Sequence, residues 1–250
     1  MQRILLAANW KMNGSESLLK DFAVAFAKTP VPSSVEVVLC LPFVYLPLAQ
    51  QLFKQTTIQW GAQDVSGHQP GAFTGEISAQ MLQEFGCSYA IIGHSERRIL
   101  CKEGDTLIAE KFARLKDASI SPILCVGETH AQRENGETTA VISTQLSAIV
   151  QRVGVAAFQN TVIAYEPVWA IGAGNAAKPE DVEAVHNQIY HYFAGFDETL
   201  AATIRVIYGG SMNENNVKSL ITLPSVGGGL VGGASLKPAS FAAIIAASRK

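Results

Sequence analysis

Eight short apolar runs recur through the whole length of the chain, and their spacing leaves few architectures open. They occupy residues 4–8, 35–41, 58–60, 89–92, 120–126, 161–165, 203–208 and 229–231. Several are rich in β-branched or aromatic side chains, and none alternates strictly between apolar and polar. That is the pattern of strands covered on both faces. Their starts are about 32 residues apart on average, the length of one strand–helix unit with its loops.

Helical patterns fill the intervals at residues 15–28, 106–118, 138–153 and 179–193, and an apolar helix is expected at 241–247. In the first, Leu18, Leu19, Phe22, Val24 and Phe26 are expected on one face, with Ser15 as the N-cap. Pro179 suits a first helical turn, where Glu180, Asp181 and Glu183 complement the positive helix end. No Pro/Ser-rich linker, low-complexity tract or composition break divides the 250 residues. Eight strands alternating with helices predict an α/β fold, a (β/α)8 barrel forming a single domain over residues 1–250. A doubly wound sheet is the rival architecture, but it usually needs fewer strands and a reversal of strand order that nothing here marks.

Composition excludes several classes. A hydrophobic fraction of 48% with 16% charged residues is not that of a disordered chain. A chain of this size leaves about 11,000 Å² exposed out of roughly 39,000 Å² when unfolded, so its core needs no disulfide or metal staples. The net charge is -2, and Arg97-Arg98 is the densest basic pair, so there is no broad positive field for nucleic acid or anionic membrane. Cys40, Cys87, Cys101 and Cys125 form no C-x-x-C pair and read as reduced, partly buried thiols of a cytoplasmic protein. The first apolar run stops at Asn9-Trp10-Lys11, too short for a signal peptide, and no 18-residue apolar stretch exists to span a membrane.

In a barrel, chemistry gathers at the C-terminal ends of the strands. Asn9-Trp10-Lys11 follows the first run, and Gly93-His94-Ser95-Glu96-Arg97-Arg98 follows the fourth. Glu166-Pro167-Val168-Trp169 opens the segment after the sixth. Gly209-Gly210-Ser211 and Gly232-Gly233-Ala234-Ser235 follow the last two. One cation, one imidazole, one carboxylate and two glycine-rich turns would converge on one mouth, a set suited to proton transfer on a phosphorylated substrate.

These segments, with residues 165–174, 208–211 and 230–236, resemble the signature blocks of the triosephosphate isomerase family, and residues 69–78 resemble its dimerisation loop. The blocks come in family order from residue 9 to residue 236. The resemblance implies interconversion of dihydroxyacetone phosphate and D-glyceraldehyde 3-phosphate, with no metal and no organic cofactor. Two other readings stay open beside it: another phosphosugar isomerase on the same barrel, and a catalytically silent phosphate-binding barrel.

The resemblance assigns roles residue by residue. Glu166 is the base, His94 the electrophile and Lys11 the electrostatic anchor, with Asn9 orienting Lys11 and touching substrate. A helix starting at Ser95 would disfavour positive charge on the His94 ring, and a neutral imidazole can still donate to substrate oxygens. Ser95 resembles the resting partner of the base, and Glu96 the partner of the lysine. Gly172, Ser211, Gly232 and Gly233 would offer main-chain N–H groups to the phosphate. Residues 167–177 would form a lid carrying Trp169, Ile171 and Ala173, and Ile171 with Leu230 would cover Glu166 and exclude water. Phe73, Thr74 and Glu76 would enter a second subunit, with Glu76 meeting the partner's Arg97, giving a homodimer.

Two apparent motifs fail. Residues 227–232 match G-x-G-x-x-G, but no Asp or Glu occurs after Glu214, so the dinucleotide reading lacks its acidic residue. His186 and His191 are five apart and do not share a helix face as a metal-binding i, i+4 pair would. Four positions depart from the family pattern. Ala173 stands where threonine is usual. Tyr190 and Gly227 replace a paired arginine and aspartate, so Tyr190 is expected to pack near the 226–228 turn. Asp64 stands where asparagine is common and adds a negative charge with no partner evident in the sequence.

Overall fold

In the computed structural model, which describes residues 2–170 and 177–249, eight parallel strands close into a barrel in chain order. They are β1 (Ile4–Asn9), β2 (Val35–Leu41), β3 (Gln59–Ala62), β4 (Tyr89–Ile92), β5 (Ser121–Val126), β6 (Val162–Tyr165), β7 (Arg205–Tyr208) and β8 (Gly228–Val231). The helices are α1 (Glu16–Lys28), α2 (Leu46–Phe53), α3 (Ala79–Glu84), α4 (Ser95–Leu100), α5 (Asp105–Asp117) and α6 (His130–Glu134). They continue with α7 (Thr138–Val153), α8 (Pro179–Ala194), α9 (Glu198–Ala201), α10 (Val217–Ile221) and α11 (Pro238–Ala247).

The barrel closes by pairing β1 with β8, Leu5 opposite Gly228 and Ala7 opposite Leu230. Gly228 is required there. Its φ is +152°, and a Cβ would lie 1.9 Å from the Leu5 carbonyl oxygen. Alternate residues of each strand face opposite cores. Leu5, Ala7, Val38, Cys40, Ile91, Ile123, Cys125, Ala164 and Ile207 fill the barrel interior. Ile4, Leu6, Ala8, Val37, Leu39 and their counterparts pack outward against the helices. Both faces are buried, which is why the strands lack alternation.

Local chemistry sets the element ends. Ser15 caps α1 by accepting the Leu18 N–H at 3.0 Å. Pro179 opens α8, with Glu180 and Asp181 in its first turn. Two expectations need correction. Val24 is 54% exposed, because its position turns it away from the face of Leu19 and Phe22. The third strand begins at Gln59, since the Ile58 N–H is taken by the Thr56 hydroxyl at 3.1 Å in the preceding turn.

The N-terminal mouth of the barrel is plugged by Glu36, which accepts hydrogen bonds from Tyr89 at 2.7 Å, Gln59 at 2.9 Å and Arg205 at 3.0 Å. Burial works to raise the Glu36 carboxyl. The Tyr89 hydroxyl and the Arg205 and Arg3 cations outweigh it and hold the group below the ordinary carboxylate range.

Tyr190 and Gly227 meet at one residue of β7. The Tyr190 hydroxyl accepts the Val206 N–H at 3.2 Å, and the Val206 carbonyl accepts the Gly227 N–H at 2.7 Å. A Cβ at Gly227 would lie 2.6 Å from the Arg205 Cγ, so the missing side chain leaves room for the arginine stem that reaches Glu36. One helical turn before Tyr190, His186 is fully buried, edge-on to Tyr165, and its Nδ1 donates to the Ser225 carbonyl at 3.0 Å. His191 lies on the solvent side, bonded to the Asn187 carbonyl.

Burial lowers the His186 imidazole to about 4, against about 6.5 in an unfolded chain. Between those values the unfolded chain takes up a proton that the folded chain declines, so this contribution to stability is lost as pH falls from 6.5 toward 4. Denaturant titrations at fixed protein concentration should show His186→Gln losing about 2 kcal/mol less stability than wild type between pH 7 and pH 5.

Candidate active site

The C-terminal strand ends bring eight of the expected residues to one cavity of about 280 Å³. Asn9, Lys11, His94, Glu166, Ser211, Leu230, Gly232 and Gly233 line it, joined by Gly209, Gly210, Met212, Asn213 and Ala234. Gly172, Ile171 and Ala173 lie outside the described residues.

Glu166 follows β6 and is 2% exposed. Its main-chain N–H donates to the Val126 carbonyl at 2.8 Å, and its Oε2 accepts the Ser95 main-chain N–H at 2.8 Å. Among the described residues its Oε1 is buried without a hydrogen-bond partner, 3.1 Å from His94 Nε2. Gly209 makes room for this side chain, since a Cβ there would lie 2.8 Å from Glu166 Cγ. Beneath Glu166, burial and the neighbouring carboxylate push the Cys125 thiol well up.

His94 caps α4. Its Nδ1 accepts the Glu96 main-chain N–H at 3.2 Å, so the ring's proton sits on Nε2, the nitrogen turned toward Glu166. Lys11 adopts φ +52°, a conformation that costs a lysine on the order of 1 kcal/mol. Two contacts hold it there. Asn9 Oδ1 accepts the Lys11 N–H at 3.0 Å, and Glu96 Oε1 accepts from its Nζ at 2.5 Å. Beside Lys11 the Gly232–Gly233 turn presents bare main chain: a Cβ on Gly232 would lie 3.7 Å from Lys11 Cε, and one on Gly233 would meet nothing within 4 Å.

Such a site can take a proton from carbon beside a carbonyl. It offers a buried carboxylate acceptor, an imidazole nitrogen 3.1 Å from it, and a fixed cation for the charge that develops.

Strand-end reasoning overlooked Glu128, two residues after β5 and fully buried. Its Oε1 accepts from the Tyr165 hydroxyl and from Trp169 Nε1, each at 3.0 Å. The same rule applied to β5 would have found it. Trp169 therefore sits against this carboxylate and does not line the main cavity. The loop residues Thr74 and Glu76 line another cavity together with Arg97, while Phe73 stacks on His68 at 4.0 Å. Asp64 has partners after all: Lys111 at 2.6 Å and Arg97 at 2.8 Å.

The closed parallel barrel, with a carboxylate, an imidazole and an ammonium at its C-terminal mouth, defines the class as a (β/α)8 barrel built for acid–base chemistry. The family model for triosephosphate isomerase matches residues 4–248. Proteins named triosephosphate isomerase match over nearly their entire lengths. That of Thiobacillus denitrificans is 46% identical over 100% of both chains. That of Alcanivorax borkumensis is 48% identical over 98% of each, and that of Sodalis glossinidius 46% over 99% of this chain and 98% of its own. The chain belongs to the triosephosphate isomerase family.

Gly209→Ala forces its new methyl against Glu166 Cγ and the Tyr165 carbonyl. It should destabilise the protein by about 1–3 kcal/mol, read as a lowered thermal midpoint, and displace the Glu166 side chain in a crystal structure.

Proposed function

We propose that this chain interconverts dihydroxyacetone phosphate and D-glyceraldehyde 3-phosphate by moving a proton between adjacent carbons through an enediol(ate). The observation that carries the reading is the unpartnered Glu166 Oε1 facing His94 Nε2 in a cavity that also holds Lys11.

Glu166 takes the proton from the substrate carbon as the base. The electron pair moves onto the carbonyl oxygen, where the His94 Nε2–H and the Lys11 ammonium stabilise the charge. His94 then passes a proton between the two oxygens, and Glu166 returns its proton to the neighbouring carbon. No electron leaves or enters the substrate. Asn9 holds Lys11 in place, Glu96 pairs with it, and Ser95 keeps Glu166 at rest between turnovers.

The phosphate is held by the main-chain N–H groups of Ser211, Gly232 and Gly233, with Gly172 as a further donor, and Lys11 supplies the matching charge. Leu230 and Ile171 shield the base. Residues 167–177, with Trp169 and Ala173, act as a lid that keeps water from the intermediate. With that activity the chain would serve glycolysis and gluconeogenesis, in the cytoplasm.

A homodimer fits the surface. Met12 and Val44 are 97% and 78% exposed and line one cavity with Lys11, Glu96 and Arg97, a site suited to the partner's loop carrying Phe73, Thr74 and Glu76. Among the described residues no helix is long and apolar enough to cross a membrane.

A coupled assay should show rapid conversion by the wild type. Glu166→Asp withdraws the carboxylate by one methylene and should lower turnover at least about 10²-fold, with KM changed far less. No conversion by well-folded wild type would overturn the reading. Sedimentation at micromolar concentration should give twice the chain mass, and Val44→Asp should shift it toward the monomer with loss of activity. A fully active monomeric wild type would refute the dimer.

A further inference from the structure

Glu166 rests at one end of a short, stiff piece of chain. Pro167 follows it, and residues Val168–Ala170 form a single helical turn, with the Ala170 N–H donating to the Pro167 carbonyl at 2.8 Å. That turn is fastened twice to Glu128. The Val168 N–H donates to the Glu128 carbonyl at 3.3 Å, and Trp169 Nε1 donates to its carboxylate at 3.0 Å. The placement of the Trp169 indole therefore bears on the path of the main chain that leaves Glu166.

Arg133, on α6, touches every part of this fastening. Its guanidinium carbon lies 4.4 Å from the Trp169 ring centroid, in cation–π geometry. Its NH1 is 3.7 Å from Glu128 Oε1, and its NH2 pairs with Asp181 at 3.0 Å. Asp181 stands in the first turn of α8. One planar cation thus stacks on the indole, faces the buried acid that holds the indole, and ties both to the next helix. A lysine could supply the charge but neither the flat stack nor the fork. The arginine side chain is 31% exposed and lines neither the main cavity nor the one behind Glu166.

We propose that Arg133 is a positioning residue for the proton transfer: by clamping Trp169 between Glu128 and Asp181 it sets where the Glu166 carboxylate sits. The inference rests on the isomerase reading given above. It concerns the reaction's geometry, so it predicts a loss in kcat with little change in KM.

The test compares Arg133→Met, Arg133→Lys and Asp181→Asn with wild type, and with Arg152→Met as a control. Arg152 pairs with Glu110 on the exposed surface, remote from the site. Arg133→Met should lower kcat about tenfold with KM within twofold. Arg133→Lys should recover only part of that loss, and Asp181→Asn should show a smaller loss of the same kind. The indole N–H signals of Trp10, Trp60 and Trp169 give an independent readout by NMR. Arg133→Met should shift or broaden the Trp169 signal and leave the other two in place, while Arg152→Met should change neither kinetics nor spectrum. Should Arg133→Met fail to fold, the other two variants decide. Wild-type kcat in Arg133→Lys and Asp181→Asn, or a kcat loss with no change at Trp169, overturns the inference. An inactive, folded wild type instead overturns the isomerase reading itself.

Discussion

A buried carboxylate with one oxygen left without a partner among the described residues constrains the catalytic end of this molecule. Glu166 has one oxygen satisfied by the Ser95 N–H and the other left bare against His94. An unpaired buried polar atom costs on the order of 1–3 kcal/mol, and flexible surroundings would relieve it by turning the side chain out. The barrel prevents that. Glu166 emerges from a strand buried on both faces, its N–H is held by β5, and Gly209 leaves just enough space for its methylenes. The rigidity of the scaffold keeps a strained acceptor aimed into an open cavity.

The same division of labour runs along the barrel axis. At the C-terminal mouth, groups are left short of partners or held in costly conformations, as Glu166 and Lys11 are. At the N-terminal mouth, Glu36 gathers Tyr89, Gln59 and Arg205 around it and is fully satisfied. Stability concentrates where no chemistry occurs. In the helical layer, His186 has its Nδ1 satisfied by Ser225 and its Nε2 left without a partner among the described residues, and its neutral ring is a packing element whose protonation would work against the fold.

How much of this was legible in the sequence follows from the range of the forces involved. Every strand was readable to within about two residues, because burial on two faces writes a continuous apolar run at each strand. The third strand started late because Thr56 captures the Ile58 N–H, a side-chain detail that no hydropathy pattern encodes. The short helices α2, α3, α6, α9 and α10 are not visible as periodic segments, since eight residues or fewer give too little pattern to count. Val24 is apolar by type, but its angle on α1 turns it to solvent, which residue type alone does not convey. At the mouth of the barrel, strand-end position located Asn9, Lys11, His94 and Glu166, which the fold then gathered at one cavity. Glu128 and Arg133 escaped. Their meaning lies in what they touch across the fold, and neither sits in a segment with its own signature.

Asp64 shows how an unfavourable charge is absorbed locally. It and Glu103 each lie 2.6 Å from the buried Lys111 ammonium, and Arg97 reaches both, at 2.8 Å and 2.7 Å. Two carboxylates and two cations balance, so an acid can occupy a position where a neutral amide would also fit. The balance is uneven. Burial raises the Asp64 carboxyl beyond what Lys111 and Arg97 restore, whereas the same two cations overcome burial at Glu103 and hold it low. The cost of the arrangement falls on Arg97, whose NH2 already serves two acids of its own chain. A partner's Glu76 arriving at that guanidinium would share it with both. In the homodimer proposed above, the extra negative charge of Asp64 would weaken that pairing and leave more of the association to the exposed apolar side chains of Met12 and Val44.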